Sequence, residues 1–422
     1  MSEPVEPTTV EVEAHGQSFL VKWPHNASTI QFQKFKESSR VAQAEVTVKV
    51  GAPGYTKILR HGALNLLSVN TQAGWARILK AAYGEMDWDA ALSNACLRAL
   101  RHFREGEPFY ELTDANDAQV DVIPFHLNPF VFDQYATIVF GVAGIGKSKL
   151  AWLMAMIAES QQSYMGIAPG KGGRALVLDY ETDVRVAKLL VKKLRRGTGL
   201  QANPLYRRCM RPLLDELGMI EDYIVKEGIT FLVIDSLGPA CGADLNSAET
   251  PMQFVAGLRA LGVSSLILAH TAKAEKPDGQ ASIYGNVFFG NLSRSYWEMR
   301  GAQEPGTKVL EVGLWHRKCN LAPMHAPLGF LFTETDSHIA LEPYNLLESE
   351  ALAPKLPLTQ RIEQALKTHG PASPTDLLKG IDGTDQKTIS AILGRARWAR
   401  TLEKRGKEQV YEWHDISVKV TR

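Results

Sequence analysis

Gly141-Val-Ala-Gly-Ile-Gly-Lys147-Ser148 decides how this chain is read. The stretch fits G-x-x-x-x-G-K-[ST], a loop that cradles the phosphates of a nucleoside triphosphate. Its glycines let successive backbone N–H groups curl around the phosphates, where side chains would block the approach. The cradle runs through Gly141, Val142, Ala143, Gly144, Ile145, Gly146, Lys147, Ser148 and Lys149. Lys147 places positive charge at the β- and γ-phosphates, and the Ser148 hydroxyl is suited to ligate Mg²⁺. The alternative is an ordinary glycine-rich turn between strand and helix. Context disfavours it. Residues 136–140 form an apolar, β-rich run, and Leu150, Leu153, Met154 and Ile157 then recur at helical spacing. Strand, glycine loop and helix make the required setting, and the helix N-terminus adds partial positive charge.

Outward from that loop, apolar runs alternate with helical stretches. Strands are expected at residues 136–140, 175–179, 230–235, 265–269 and 308–314. That alternation predicts an α/β core over residues 123–345, with a mostly parallel sheet covered on both faces. Residues 1–15 are acidic and rich in Pro and Thr, the composition of a disordered tail. Residues 16–122 form a mixed N-terminal region, with strands at 19–23 and 45–50 and helices at 73–80 and 88–104. Its mixture of Lys34, Lys36, Arg40, Lys57, Arg60, His61, Trp75, Arg77 and Lys80 suits nucleic acid. A solvated helix face is the simpler account. Residues 346–358 hold two prolines and little pattern, as a linker does, and residues 359–422 make a small C-terminal domain.

Composition narrows the class. The chain has 422 residues, 45% of them hydrophobic and 22% charged, the balance of a soluble globular protein of two or three domains. A net charge of +1 gives no global sign of nucleic acid, so any such surface must be local. Cys96, Cys209, Cys241 and Cys319 are far apart and form no zinc spacing, which fits reduced thiols in the cytoplasm. No apolar run reaches spanning length and no basic-then-apolar leader opens the chain, so no membrane is expected as a partner.

Three polar residues end expected strands where open α/β sheets bind ligands. The run 230–235 delivers Asp235, 88 residues beyond Lys147, as a second Mg²⁺ group acting through water. The run 175–181 ends in Asp179-Tyr-Glu181, and Glu181 is placed to orient and deprotonate the attacking water. Its competing role is to cap the helix that follows. The run 265–270 ends in His270, a candidate sensor of the γ-phosphate. Downstream, Arg294 and the Arg317-Lys318 pair are candidates for a cation that stabilises transition-state charge, and the sequence does not choose between them.

In this order the elements resemble the RecA-like superfamily. More closely, Leu176-Val-Leu-Asp-Tyr-Glu-Thr182, Val233-Ile-Asp-Ser-Leu-Gly-Pro-Ala240 and Ala269-His-Thr-Ala-Lys273 resemble the RepA-type hexameric helicase ATPases of plasmids and phages. The resemblance spans residues 123–335. It implies ATP with Mg²⁺, Glu181 as base, Asp235 as the Walker B carboxylate and His270 as sensor. It also implies a finger from Arg294 or Arg317-Lys318 supplied by an adjacent subunit. The expected assembly is a ring, usually of six subunits, gripping single-stranded DNA. The gripping loops would be residues 241–247 and residues 274–289, with Lys273 and Lys276 in DNA contact. The chain departs from the simplest members by its extra N- and C-terminal regions. A clamp, loader or recruitment factor, or a nucleotide-switched DNA-binding regulator with negligible turnover, are the competing readings.

The C-terminal region shows three helical stretches, at residues 359–368, 373–379 and 385–400, then a hairpin turning at residues 405–407. This resembles a winged helix. From Lys355 onward there are 13 Lys and Arg against 8 Asp and Glu. That asymmetry favours duplex DNA contact through Lys387, Arg395, Arg397, Arg405 and Lys407. Protein contact is the alternative.

Overall fold

The computed structural model describes residues 10–15, 18–38, 41–51, 56–105, 122–272, 281–405 and 408–414. The N-terminal region is an antiparallel meander of five strands, β1 (Glu11–His15), β2 (Ser18–Trp23), β3 (Ser28–Ser38), β4 (Val41–Val50) and β5 (Lys57–Asn65). Helices α1 (Val69–Ala82) and α2 (Trp88–Glu105) cover one face. Alternation puts Phe19, Val21, Ile30, Phe32, Val46 and Val48 inward against Trp75, Leu79, Trp88 and Leu92. Residues 11–15, expected in a disordered tail, instead pair with β2. Part of the mixture of basic and aromatic residues is internally satisfied. Lys34 pairs with Glu45 at 3.0 Å, His61 hydrogen-bonds Thr47 at 2.9 Å, and the Arg60 guanidinium lies 4.5 Å over Trp75. Arg40 lies outside the described residues.

The core opens with β6 (Phe125–Asn128), β7 (Val131–Phe132), β8 (Ala136–Gly141), α3 (Lys147–Ser160) and β9 (Ala168–Pro169). It continues through β10 (Arg174–Asp179), α4 (Val184–Thr198), β11 (Leu205–Arg208), α5 (Leu213–Glu227), β12 (Ile229–Asp235), α6 (Leu237–Cys241), α7 (Glu249–Ala260) and β13 (Ser264–His270). It closes with α8 (Phe288–Leu292), β14 (Ser295–Ala302), β15 (Val309–Cys319), β16 (Leu328–Glu334) and β17 (Ile339–Pro343). Among the described residues the main sheet runs β11-β10-β12-β13-β8-β14-β15-β16-β17. It is parallel from β11 through β14 and antiparallel beyond. Both faces of the parallel part are buried. Val139, Val177, Val233 and Leu268 line one core, and Phe140, Leu178, Ile234 and Ile267 line the other. That is why these strands read as unbroken apolar runs.

Beyond β14 the sheet curls back over α3. Its last strand reaches α4, where Gly197 lies against the Ile339 carbonyl. Lys193 of α4 reaches Glu334 at 3.0 Å, and the Tyr164 hydroxyl donates to the Leu341 carbonyl at 3.2 Å. Helix α3 is therefore enclosed, with every side chain from Leu150 to Ala158 buried. A helix apolar all round is one buried all round. The N-terminal region leans on the core through α5. Gln31 donates to Asp222 at 3.4 Å, and the Gln33 side chain lies over Gly218.

Residues 346–358, expected as a linker, instead form two short 3-10 turns around a small core of Trp315, Leu346, Leu352 and Leu356. Next come α9 (Leu358–His369), α10 (Pro374–Gly380), α11 (Gln386–Leu393) and the hairpin of β18 (Ala399–Arg405) and β19 (Glu408–Trp413). An isolated bridge joins Ala372 to Tyr411. Ser373 caps α10 reciprocally with Asp376. Helix α11 ends at Leu393 rather than near residue 400, with Gly394 at its C-cap.

The close approach of α4 to β17 leaves no room for a methyl group at Gly197. Gly197→Ala is expected to cost about 1–3 kcal/mol. In urea unfolding the midpoint should fall with an unchanged slope.

Candidate active site

The C-terminal ends of β8, β10, β12 and β13 bring the sequence-selected residues to one edge. Gly144 and Gly146 both hold left-handed backbone, at φ of 81° and 87°, which side chains rarely adopt. A Cβ on Gly144 would meet nothing within 4 Å, so the loop encloses open space. A Cβ on Gly141 would run into the Met299 carbonyl of β14, so the loop's base is pinned by that strand. The Lys147 ammonium donates to the carbonyls of Gly141 at 2.9 Å and Val142 at 2.7 Å. Burial pushes its pKa down, and the carboxylates of Asp235 and Glu181 oppose that shift. Lys149 points elsewhere. It pairs with Glu334 at 2.5 Å, which ties α3 to β16 rather than serving phosphate.

Asp235 is buried at the end of β12, near the Ser148 hydroxyl. Its carboxyl is pushed up to about 6, foremost by burial. The Ser148 hydroxyl pulls the other way, the Glu181 and Asp179 charges add to the rise, and Lys147 opposes it. A hydroxyl and a carboxylate so placed fit Mg²⁺ that also takes phosphate oxygens and water. Among the described residues no cluster of three or more His, Cys, Asp or Glu forms a metal cage, and this donor pair needs none.

Asp179 organises the turn that carries Glu181. Its carboxylate accepts the N–H groups of Glu181 and Thr182 at 2.9 Å each, and the Thr182 hydroxyl. Asp183, not Glu181, caps α4 by accepting the N–H groups of Arg185 and Val186. That leaves the Glu181 carboxylate open. It accepts the Ser236 hydroxyl at 2.6 Å and lies 3.7 Å from His270 Nε2. Glu181 and His270 are both about half exposed toward the space over the sheet edge. Ser236 and Asp179 were missed as site residues in the sequence. Each stood beside a selected carboxylate, and the Asp-x-x-Thr spacing of Asp179 and Thr182 was the available sign.

The cationic candidates lie at or beside β14 and β15. Ser295 of β14 pairs with Thr137 at the start of β8 and with Cys319 at the end of β15. By register Arg294 stands level with Ala136, roughly 16 Å along β8 from Gly141, whereas Lys318 and Arg317 stand level with Ile138 and Val139 in mid-strand. Arg317 is held 2.7 Å from Glu298, a buried carboxylate that also accepts Arg300 at 2.5 Å. Lys318 donates to the carbonyls of Gly290, Asn291 and Ser293, closing the end of α8. Arg294 is exposed. Lys273, Lys276 and Lys407 lie outside the described residues. Lys387, Arg395, Arg397 and Arg405 are exposed, with Arg395 and Arg397 past the end of α11 and Arg405 paired to Glu403 at 2.6 Å.

Residues 113–276 match the family model described as an AAA domain. That match covers the phosphate loop, which follows a central strand of the mostly parallel α/β sheet. Among solved structures the chain is similar to a KaiC-like protein of the hyperthermophilic archaeon Pyrococcus horikoshii OT3. Identity is 15% and the TM-score 0.35, over 52% of this chain and 94% of that one. No curated protein matches the sequence. Among the described residues no helix is long and apolar enough to cross a membrane.

The Asp235 shift carries a sign. An ordinary Asp ionises at 3.8, so between about pH 4 and 6 the folded domain keeps a proton that the unfolded chain releases. Ionisation of the buried carboxyl therefore costs stability above about pH 6. Asp235→Asn is expected to raise the urea midpoint at pH 7.5, to give no gain at pH 4, and to lose nucleotide turnover. A lower midpoint at pH 7.5 would contradict the burial argument.

Proposed function

We propose that this protein is a Mg²⁺-dependent ATPase that acts on DNA as a ring-shaped oligomer, in the manner of a RepA-type helicase of a mobile element. The observation that carries the reading is Glu181, fixed by Ser236 beside His270, at the edge that holds the phosphate loop. In this reading the Lys147 ammonium leaves its two carbonyls for the β- and γ-phosphates. The N-terminal amides of α3 add further donors. Glu181 takes the proton of the attacking water, and Ser236 keeps its carboxylate aimed. His270 feels the loss of the γ-phosphate through its position beside that carboxylate. Mg²⁺ at Ser148 and Asp235 would neutralise phosphate charge. The oligomer is supported by Arg294, exposed toward the end of the strands away from the loop. A cation there serves an adjacent subunit rather than its own loop, a head-to-tail contact that gives a ring where the rotation closes.

DNA contact is supported by the basic excess after Lys355 and by the three-helix and hairpin order of α9–α11, β18 and β19, which we read as a winged helix. A second reading keeps the ATPase but makes it a loader or recruitment factor. The N-terminal sheet docked on α5 favours it, since unwinding needs no such element.

Phosphate release with and without single-stranded DNA tests the enzyme. Lys147→Ala should abolish turnover. Glu181→Gln should keep nucleotide affinity while turnover falls by about 10²–10⁴-fold. Wild-type turnover in Glu181→Gln would remove the base assignment. Unwinding of a forked duplex separates helicase from loader.

Charge reversal at Lys387, Arg395 and Arg397 in the full chain should abolish duplex binding whose affinity falls steeply with salt. Duplex binding that ignores both salt and these reversals would turn the C-terminal module into a protein-contact element.

A further inference from the structure

Every charged residue of helix α4 is a cation: Arg185, Lys188, Lys192, Lys193, Arg195 and Arg196. The whole chain has 47 Lys and Arg against 46 Asp and Glu, so a helix of one sign is a local feature. Three of these cations are engaged. Arg185 pairs with Asp183 at 2.8 Å, Lys193 pairs with Glu334 at 3.0 Å, and Arg195 donates to the Ala202 carbonyl at 2.6 Å. Lys188, Lys192 and Arg196 are exposed and have no side-chain partner among the described residues. Steps of four residues keep these three on one face, about 6 Å apart along the helix axis.

The line works against the helix that bears it. Lys188 with Lys192, and Lys192 with Arg196, are like charges at i,i+4, which destabilise a helix. Arg196 lies in the last turn and complements the helix dipole, but Lys188 and Lys192 stand too far from the C-terminus for that. Beside them Val186 and Leu189 are 50% and 53% exposed. A face that meets only water gains nothing from either feature. A polyanion would relieve the repulsion, and its apolar parts would cover the two aliphatic side chains. A single-stranded nucleic acid offers both, because its phosphates follow one another along the strand while its sugars and bases stay open to contact. A duplex keeps its bases stacked inside.

We propose that the outer face of α4 holds the backbone of a single-stranded nucleic acid, with Lys188, Lys192 and Arg196 each meeting a phosphate. This rests on the DNA reading above and adds a surface to it. Helix α4 packs with α3 on one side of the main sheet. Helices α6 and α7, which flank the expected gripping loop at residues 241–247, pack on the other. A strand held by α4 is therefore a contact separate from that loop. The sequence gave no sign of it, because a run of lysines and arginines in a helix commonly just faces solvent.

The test is binding of the full chain to a short oligothymidylate across a salt series. Lys188→Ala, Lys192→Ala and Arg196→Ala combined should weaken binding. They should also reduce the slope of log K against log salt by about 2, the loss of three phosphate contacts on a single strand. Lys192→Glu should weaken binding while raising the urea midpoint, because it turns two like-charge i,i+4 pairs into opposite-charge pairs. A gain in stability joined to a loss of binding separates a docking face from damage to the fold. An unchanged slope in the triple variant, with the wild type binding the oligonucleotide, would overturn the α4 surface and leave the DNA reading standing. A wild type that binds no oligonucleotide would remove the DNA reading and this surface with it. Tighter binding of poly-glutamate than of oligothymidylate of equal length, lost in the triple variant, would assign the face to an acidic protein and overturn the inference.

Discussion

Everything in the core depends on one helix that must be buried on all sides and still present its first turn to a ligand. Helix α3 follows the phosphate loop directly, so its N-terminal amides have to stay at the sheet edge. The rest of it is apolar on every face and needs cover on every face. The parallel strands supply one side. The other sides come from α4 and from the antiparallel strands β15–β17, which curl back until β17 touches α4 at Gly197. Lys149 and Lys193 converge on Glu334 and join the two walls by charge. Enclosed in this way, α3 is a fixed reference against which the polar residues at the strand ends are positioned.

The site follows from that frame by hydrogen-bond satisfaction. Asp179 is buried, so its carboxylate takes up the N–H groups of the next turn and holds Glu181 beyond the strand end. Asp183 takes over the cap, and Glu181 is left to Ser236 and His270. Two carboxylates within a few residues thus have different tasks set by their surroundings. One is structural and closed in, and the other is half exposed and available.

Much of this was legible in the sequence because buried parallel strands carry a plain signal. Strands β8, β10, β12 and β13 carry apolar runs, the first ending in the glycine loop and the others in a polar residue, and their ends led to the loop, Glu181, Asp235 and His270. Strand β14 was not legible. Its Ser-Tyr-Trp-Glu-Met-Arg run puts Glu298 and Arg300 inside, and those charges look like a surface until Arg317 is seen to complete them. Strands β3 and β5 were hidden by a polar outer face. Helix α11 was drawn too long because Gly394 was read through rather than as a stop. The connector at residues 346–358 looked unstructured because its small core borrows Trp315 from a strand far away in sequence.

Gln31 and Gln33 of the N-terminal sheet rest on α5, and α5 leads after a single glycine into β12, the strand that ends in Asp235. After Gly228 the chain turns back, so α5 lies packed along β12 with Leu217, Ile220 and Ile224 against Leu232 and Ile234. The accessory sheet thus rests on the helix that backs the strand carrying Asp235, and a load on that sheet reaches the strand through one layer of packed side chains. The domain whose sequence said least about chemistry is one helix away from the edge that holds the phosphate loop.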